Sequence, residues 1–184
     1  MELILERGRP ESNEGRQERE IRCYDLLDSL GIDFYRVDHA EAHTMEDCAA
    51  ADKLLGDDTA ICKNLFLRNS KGDQYFLLML PGEKHVKTKE VAKQIGSTRL
   101  SFGEGEKMEE FLDIHPGAVS VMGLMNDKEN RVQLLMDEDV LKLPFVGCHP
   151  CMSTSSIKLS TDDLMEKFLP AVSHDVKMVT IHEG

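Results

Sequence analysis

A chain of 184 residues with 41% hydrophobic side chains can bury one sizeable core and is short of what two domains need. No apolar run approaches the ~20 residues of a membrane helix, and "MELILERGRPESNEGR" turns charge-rich too early for a secretory leader, so a cytoplasmic address is expected. The net charge of −12 argues against broad nucleic-acid binding, but from Lys63 to Arg99 eight basic residues stand against three acids, a basic segment on an acidic body.

Residues 1–16 are a polar, Gly- and Pro-containing lead-in, and 17–184 are expected to form one domain. In "QEREIRCYDLLDSLG", Ile21, Tyr24, Leu27 and Leu30 fall three apart, an amphipathic helix closed by Gly31. "DFYRVDH" reads as a short strand. Thr44 is placed to cap a helix running to Leu55, with Asp47 in capping-box position. In "AICKNLFLRNSKGDQYFLLMLP" two apolar strands flank Ser70–Asp73, a hairpin. "KTKEVAKQIG" and "EKMEEFLDI" read as short helices. The turn His115-Pro116-Gly117 leads into a predicted strand "AVSVMGLM", which "NDKEN" turns back as a second hairpin into "RVQLLMD". Strands "PFVGC" and "SIKL", a helix from Thr161 to Leu169 and a strand "VKMVTI" complete the chain. Interspersed helices, strands and hairpins indicate an α+β fold with a mixed, largely antiparallel sheet.

"FVGCHPCMSTSSIKLS" carries Cys148-His149-Pro150-Cys151, a motif open to a redox or a metal reading. A redox CxxC has its first Cys at a helix N-terminus, which lowers the thiol pKa, but the Ser-, Thr- and Ile-rich run that follows here continues as a strand. Zinc would need about four ligands, and no second cluster completes the set; His39 and His43 are expected to flank a strand end. The five cysteines, Cys23, Cys48, Cys62, Cys148 and Cys151, are odd in number and scattered, so reduced thiols are expected in place of a disulfide framework. Cys23 and Cys62 sit in apolar stretches and read as core residues.

Three segments together, "AICKNLFLRN…YFLLMLPGEKHVKTKEVAKQIG", "PGAVSVMGLMND" and "FVGCHPCMSTSSIKLS", resemble the YbaK/ProX family of aminoacyl-tRNA deacylases, most closely its ProX (PrdX-like) branch. "VDHAEAHT" fits the early strand of that branch. The resemblance runs from about Arg19 to Val179. It implies a compact single α+β domain around a mixed, partly barrelled sheet with peripheral helices. It implies that Lys63 contacts the substrate near the scissile ester and that Asn64 is the branch's following asparagine. Gly117 then opens the loop, through Ala118 and Ser120, whose amides lie at the reacting carbonyl. His149 and Pro150 match the HP dipeptide that lines the amino-acid pocket, so the cysteines beside them are incidental. Two positions depart from the pattern. Val121 stands where the family has proline, which bears on loop shape, and Ser153 stands where the branch has asparagine, which bears on pocket volume.

The resemblance implies hydrolysis of mischarged tRNA(Pro), most simply Ala-tRNA(Pro), without metal, cofactor or covalent intermediate. A pocket built for proline rejects alanine poorly, because each missing methylene is worth only about 1–3 kcal/mol, so a second sieve for small side chains removes the error. An activated ester needs a positioned water and donors to the oxyanion, about 2.7–4 kcal/mol each. The terminal ribose hydroxyl is a candidate to activate the water. Lys84, Lys87, Lys89 and Lys93 are candidates to meet acceptor-stem phosphates, and prolyl-tRNA synthetase is a candidate partner; neither membrane nor DNA is expected. The alternatives are a Cys- or Ser-tRNA deacylase of the same family, and a non-catalytic tRNA- or synthetase-binding module that kept the fold.

Overall fold

The structure, a computed structural model, describes residues 3–41 and 45–182. In chain order it comprises β1 (Leu5–Arg7), α1 (Glu18–Ser29), β2 (Phe34–Asp38), α2 (Met45–Leu55), β3 (Thr59–Arg68), β4 (Tyr75–Pro81), α3 (Thr88–Ile95), β5 (Ser101–Phe102) and α4 (Gly105–Leu112). A 3₁₀ helix (Val121–Asn126), β6 (Val132–Asp137), a second 3₁₀ helix (Glu138–Lys142), β7 (Phe145–Cys148), β8 (Ser155–Ser160), α5 (161–171) and β9 (Val176–Val179) follow. The predicted cap at Thr44 and His43 lie outside the described residues, as does the side chain of the capping partner Asp47.

The strands form one mixed sheet in the order β1-β2-β8-β7-β3-β4-β6-β9, with β5 on β3. Five of the neighbouring pairs are antiparallel, and three (β3–β7, β4–β6, β6–β9) are parallel, so the sheet is largely antiparallel as expected. The path ends on β1 and β9 and does not close. The polar lead-in contributes β1, which pairs with β2 as an edge strand.

Alternation along β4 builds two cores. Tyr75, Leu77 and Met79 join the larger one with α1 and α4, while Phe76, Leu78 and Leu80 join a second with Val91 and Ala92 of α3. Covered on both faces, β4 is an unbroken apolar run, as its sequence has it. A third, small cluster of Val37, Ala51 and Leu55 seats α2 against the sheet. Helix α1 turns its Cys23, Tyr24 and Leu27 inward and ends at Gly31, whose φ of 67° is left-handed.

The predicted strand "AVSVMGLM" is instead the 3₁₀ helix Val121–Asn126, and the second hairpin does not form. Val121 to Met125 are all buried, and a run with no polar face carries no period that separates strand from helix. Local contacts decide for the helix. The Ser120 hydroxyl accepts from the Met122 N–H at 3.1 Å, and Gly123 packs so tightly that a Cβ there would lie 2.5 Å from Ile114 Cδ1. "NDKEN" becomes a loop held by Asp127, which accepts from the N–H groups of Arg131 and Val132, and β6 enters parallel to β4 and β9.

Candidate active site

Strand β3 pairs with β7 as far as Ile61↔Gly147 and with β5 only from Leu67↔Phe102. Along that edge, residues 62–66 have no strand neighbour among the described residues. Lys63 and Asn64 sit in this gap and line a cavity of about 300 Å³. Gly117, from the turn after α4, and His149 and Ser153, from the β7–β8 loop, line the same cavity. Segments more than thirty residues apart in sequence thus meet at one hollow.

The Lys63 ammonium donates to the carbonyl of Lys84. Asn64 keeps a buried Oδ1 with no hydrogen-bond partner among the described residues, an acceptor whose desolvation is uncompensated. His149 Nδ1 lies 2.7 Å from the carbonyl of Ser155, which only accepts, so Nδ1 carries the proton. Burial lowers the His149 pKa, against the Ser155 bond and with the help of His39, so the ring is neutral near pH 7 and its Nε2 is an acceptor with no partner among the described residues. Gly117 has a φ of 99°, a conformation that glycine adopts without strain, and is exposed at the mouth.

Other predicted residues stand behind the wall. The Ala118 N–H donates to His115 O at 3.1 Å, so a turn takes up that amide. Ser120 is fully buried, and its hydroxyl donates to His149 O at 2.5 Å, tying the Gly117 loop to the β7–β8 loop. Pro150 is buried and does not line the cavity. Lys84 is set apart from the other lysines: its ammonium lies 2.8 Å from Asp137 and 2.6 Å from Asp139, and donates to Ile181 O at 3.0 Å. Lys87, Lys89 and Lys93 are exposed on and beside α3.

Several lining groups escaped residue-level reading. His39 and Ser156 face the cavity bonded to each other at 3.0 Å, and the His39 ring lies 6.3 Å from that of His149. Asp52 of α2 lines it too, its pKa raised by burial against the pull of His39. Leu55, Ile61, Cys62 and Cys148 supply an apolar wall. No local motif marks these positions; the α2 and β7 contributions arise from packing alone.

Burial pushes the Cys148 thiol up to about 12, the reverse of an activated redox thiol, and a turn and β8, not a helix, follow Cys151. Among the described residues no group of three or more His, Cys, Asp or Glu side chains is arranged to hold a metal ion, and no helix is long and apolar enough to cross a membrane.

Residues 39–167, which include most of these lining groups, match the family described as the aminoacyl-tRNA editing domain. The chain belongs to this family. Among its relatives, the prolyl-tRNA editing protein ProX of Acetoanaerobium sticklandii is 31% identical over 155 residues, covering 84% of this chain and 93% of that protein. Prolyl-tRNA synthetase associated domain-containing protein 1 of Mus musculus is 29% identical over 153 residues, 81% of this chain and 88% of that one. A crystal structure assigned provisionally as a trans-editing enzyme for prolyl-tRNA synthetase superposes with a TM-score of 0.67 at 19% identity, over 91% of this chain and 99% of that one, a likeness of fold.

Proposed function

We propose that this protein hydrolyses the aminoacyl ester of mischarged tRNA(Pro), with Ala-tRNA(Pro) as its preferred substrate. The observation that carries the reading is the convergence of Lys63, Asn64, Gly117, His149 and Ser153 on one small cavity. The similarity to a prolyl-tRNA editing protein over most of both chains supports tRNA(Pro) as the carrier.

The chemistry follows from the lining groups. An aminoacyl ester is already activated, so the site needs to hold it, exclude large side chains and stabilise charge on the carbonyl oxygen. The Lys63 cation attracts the 3′-terminal nucleotide or the developing oxyanion, where fixed charge is worth more than in water. Amides of the Gly117 loop are candidate oxyanion donors; Ala118 contributes none, since its N–H is bonded to His115. The neutral His149 offers Nε2 to a water proton. The apolar Leu55, Ile61 and Cys148 wall suits a small aliphatic side chain, which is the basis for naming alanine. Lys87, Lys89 and Lys93 meet acceptor-stem phosphates, and Lys84, held by Asp137 and Asp139, stays structural.

A deacylation panel tests this reading. Purified protein is mixed with tRNA(Pro) charged with Ala, Cys or Ser, and loss of the labelled amino acid is followed. Fastest release of alanine is expected. Faster release of Cys or Ser moves the specificity to the sister reading, and binding with no release from any of the three identifies a non-catalytic module.

A further inference from the structure

A single bond, Nδ1–H to Ser155 O, sets the tautomer of His149, so the placing of Ser155 matters. Ser155 pairs with Asp38 at the last rung of the β2–β8 ladder, where β8 meets the His149 loop. Its hydroxyl donates to Asp38 Oδ1 at 2.6 Å. Arg16 grips Asp38 with both amino groups, at 3.1 and 2.9 Å, and reaches the Ser155 hydroxyl at 3.3 Å. Arg36 Nε adds contacts of 3.1 and 3.2 Å to the same carboxylate. Behind them Glu20 accepts from Arg16 at 2.8 Å and from the Tyr24 hydroxyl at 2.6 Å.

Burial opposes charge on Asp38, but the bonds from Arg16 and Ser155 and the two guanidinium charges hold its pKa down to about 2. The carboxylate therefore stays ionised through the working pH range. Well-packed apolar side chains often stabilise a fold as much as such partly buried ion pairs do. What the polar set adds is geometry: a planar fork on a carboxylate fixes direction as well as distance. Both Arg16 and Asp38 precede residue 39, where the family match begins.

We propose that Asp38 and Arg16 are positioning residues of the hydrolytic pocket: they fix Ser155 so that its carbonyl holds His149 as the Nδ1–H tautomer, with Nε2 presented as an acceptor. The inference rests on reading the cavity as an ester-hydrolysing site. With the opposite tautomer Nε2 would carry a proton and turn a donor toward the water it has to receive a proton from. The N-terminal segment is then part of the active site and not a lead-in to it.

The test compares Asp38→Asn and Ser155→Ala with wild type, and with Arg9→Gln as a control. Arg9 lies in the same segment but bonds to Asp25 and Asp28 on α1, away from Asp38. The readouts are the ¹⁵N shifts of the His149 ring, assigned with His149→Gln, and kcat and KM for Ala-tRNA(Pro) deacylation. Wild type and Arg9→Gln should give the pure Nδ1–H pattern and equal kcat. Asp38→Asn and Ser155→Ala should give mixed tautomers and a kcat about tenfold lower with little change in KM, the size expected when a proton-transfer group is misoriented. Retention of the Nδ1–H pattern and of wild-type kcat in both variants would overturn the proposal. Should Asp38→Asn not fold, Ser155→Ala carries the test, since it leaves every charge in place. A wild type without deacylase activity would sink the functional reading alone, because the ring shifts decide the tautomer without turnover.

Discussion

In the β7–β8 loop His149 commits one ring nitrogen to a backbone carbonyl, while in the turn before β9 His174 commits both. His174 Nδ1 donates to Val172 O at 2.7 Å and Nε2 to Asp127 Oδ2 at 2.9 Å. A ring that donates twice is an imidazolium, and its charge is matched by a carboxylate that also takes the Arg131 and Val132 N–H groups. His174 is thus closed to chemistry and clasps the 127–131 loop to the end of α5. His149 is neutral, with a lone pair at the cavity that no described residue takes up. The number of ring nitrogens satisfied by described residues, more than burial, separates the structural His174 from the candidate site histidine.

The largest expected effect breaks the clasp. Asp127→Ala leaves an uncompensated buried imidazolium and should cost about 3–5 kcal/mol, read by urea denaturation, while the folded fraction keeps its deacylation rate. His149→Gln should do the reverse: unfolding close to wild type, with kcat about a hundredfold lower. If both variants lose stability and neither loses rate selectively, the two histidines are not different in kind.

The clasp also predicts a pH signature. Burial alone would lower the His174 pKa, but its bonds to Asp127 and Val172 and the Asp127 charge raise it above 6.5. That contribution is complete below 6.5 and is lost as pH rises through the folded-state value. Asp127 is opposite: burial would raise it, but His174 and two backbone N–H groups hold it below 3.8, so its contribution is complete above 3.8 and is lost as pH falls through the folded-state value. Denaturation midpoints should peak between these limits, and His174→Gln should abolish the alkaline decline.

The lysines divide the same way. Replacing Lys87, Lys89 or Lys93 with Ala should each reduce the salt slope of tRNA binding by about one, whereas Lys84→Ala should destabilise the fold by stripping Asp137 of its counter-charge. The smallest effect belongs to Cys148→Ser, expected to change deacylation by about twofold or less, since a thiol with a pKa near 12 supplies no thiolate.

Period and turn chemistry made much of this fold legible. Helices α1 and α3 carry an apolar stripe and a terminal glycine, and Ser70–Asp73 announces the β3–β4 hairpin. The two- and three-residue strands β1 and β5 have no period to read, because their partners define them. "AVSVMGLM" misleads because burial on every side erases the distinction between strand and helix. At the site, resemblance brought out Lys63, Asn64, Gly117, His149 and Ser153. His39, Asp52 and Ser156 join them only once α2 and the β2–β8 pair are folded, and the separation of Lys84 from its neighbours depends on Asp137 and Asp139, more than fifty residues away.

The most direct measurement is the rate of alanine release from Ala-tRNA(Pro) by wild type and by Lys63→Ala. Removing the Lys63 ammonium from the cavity lining should slow release by about a hundredfold or more while leaving the fold intact. Full activity in Lys63→Ala would contradict the assignment of this cavity as the place where the ester is cut.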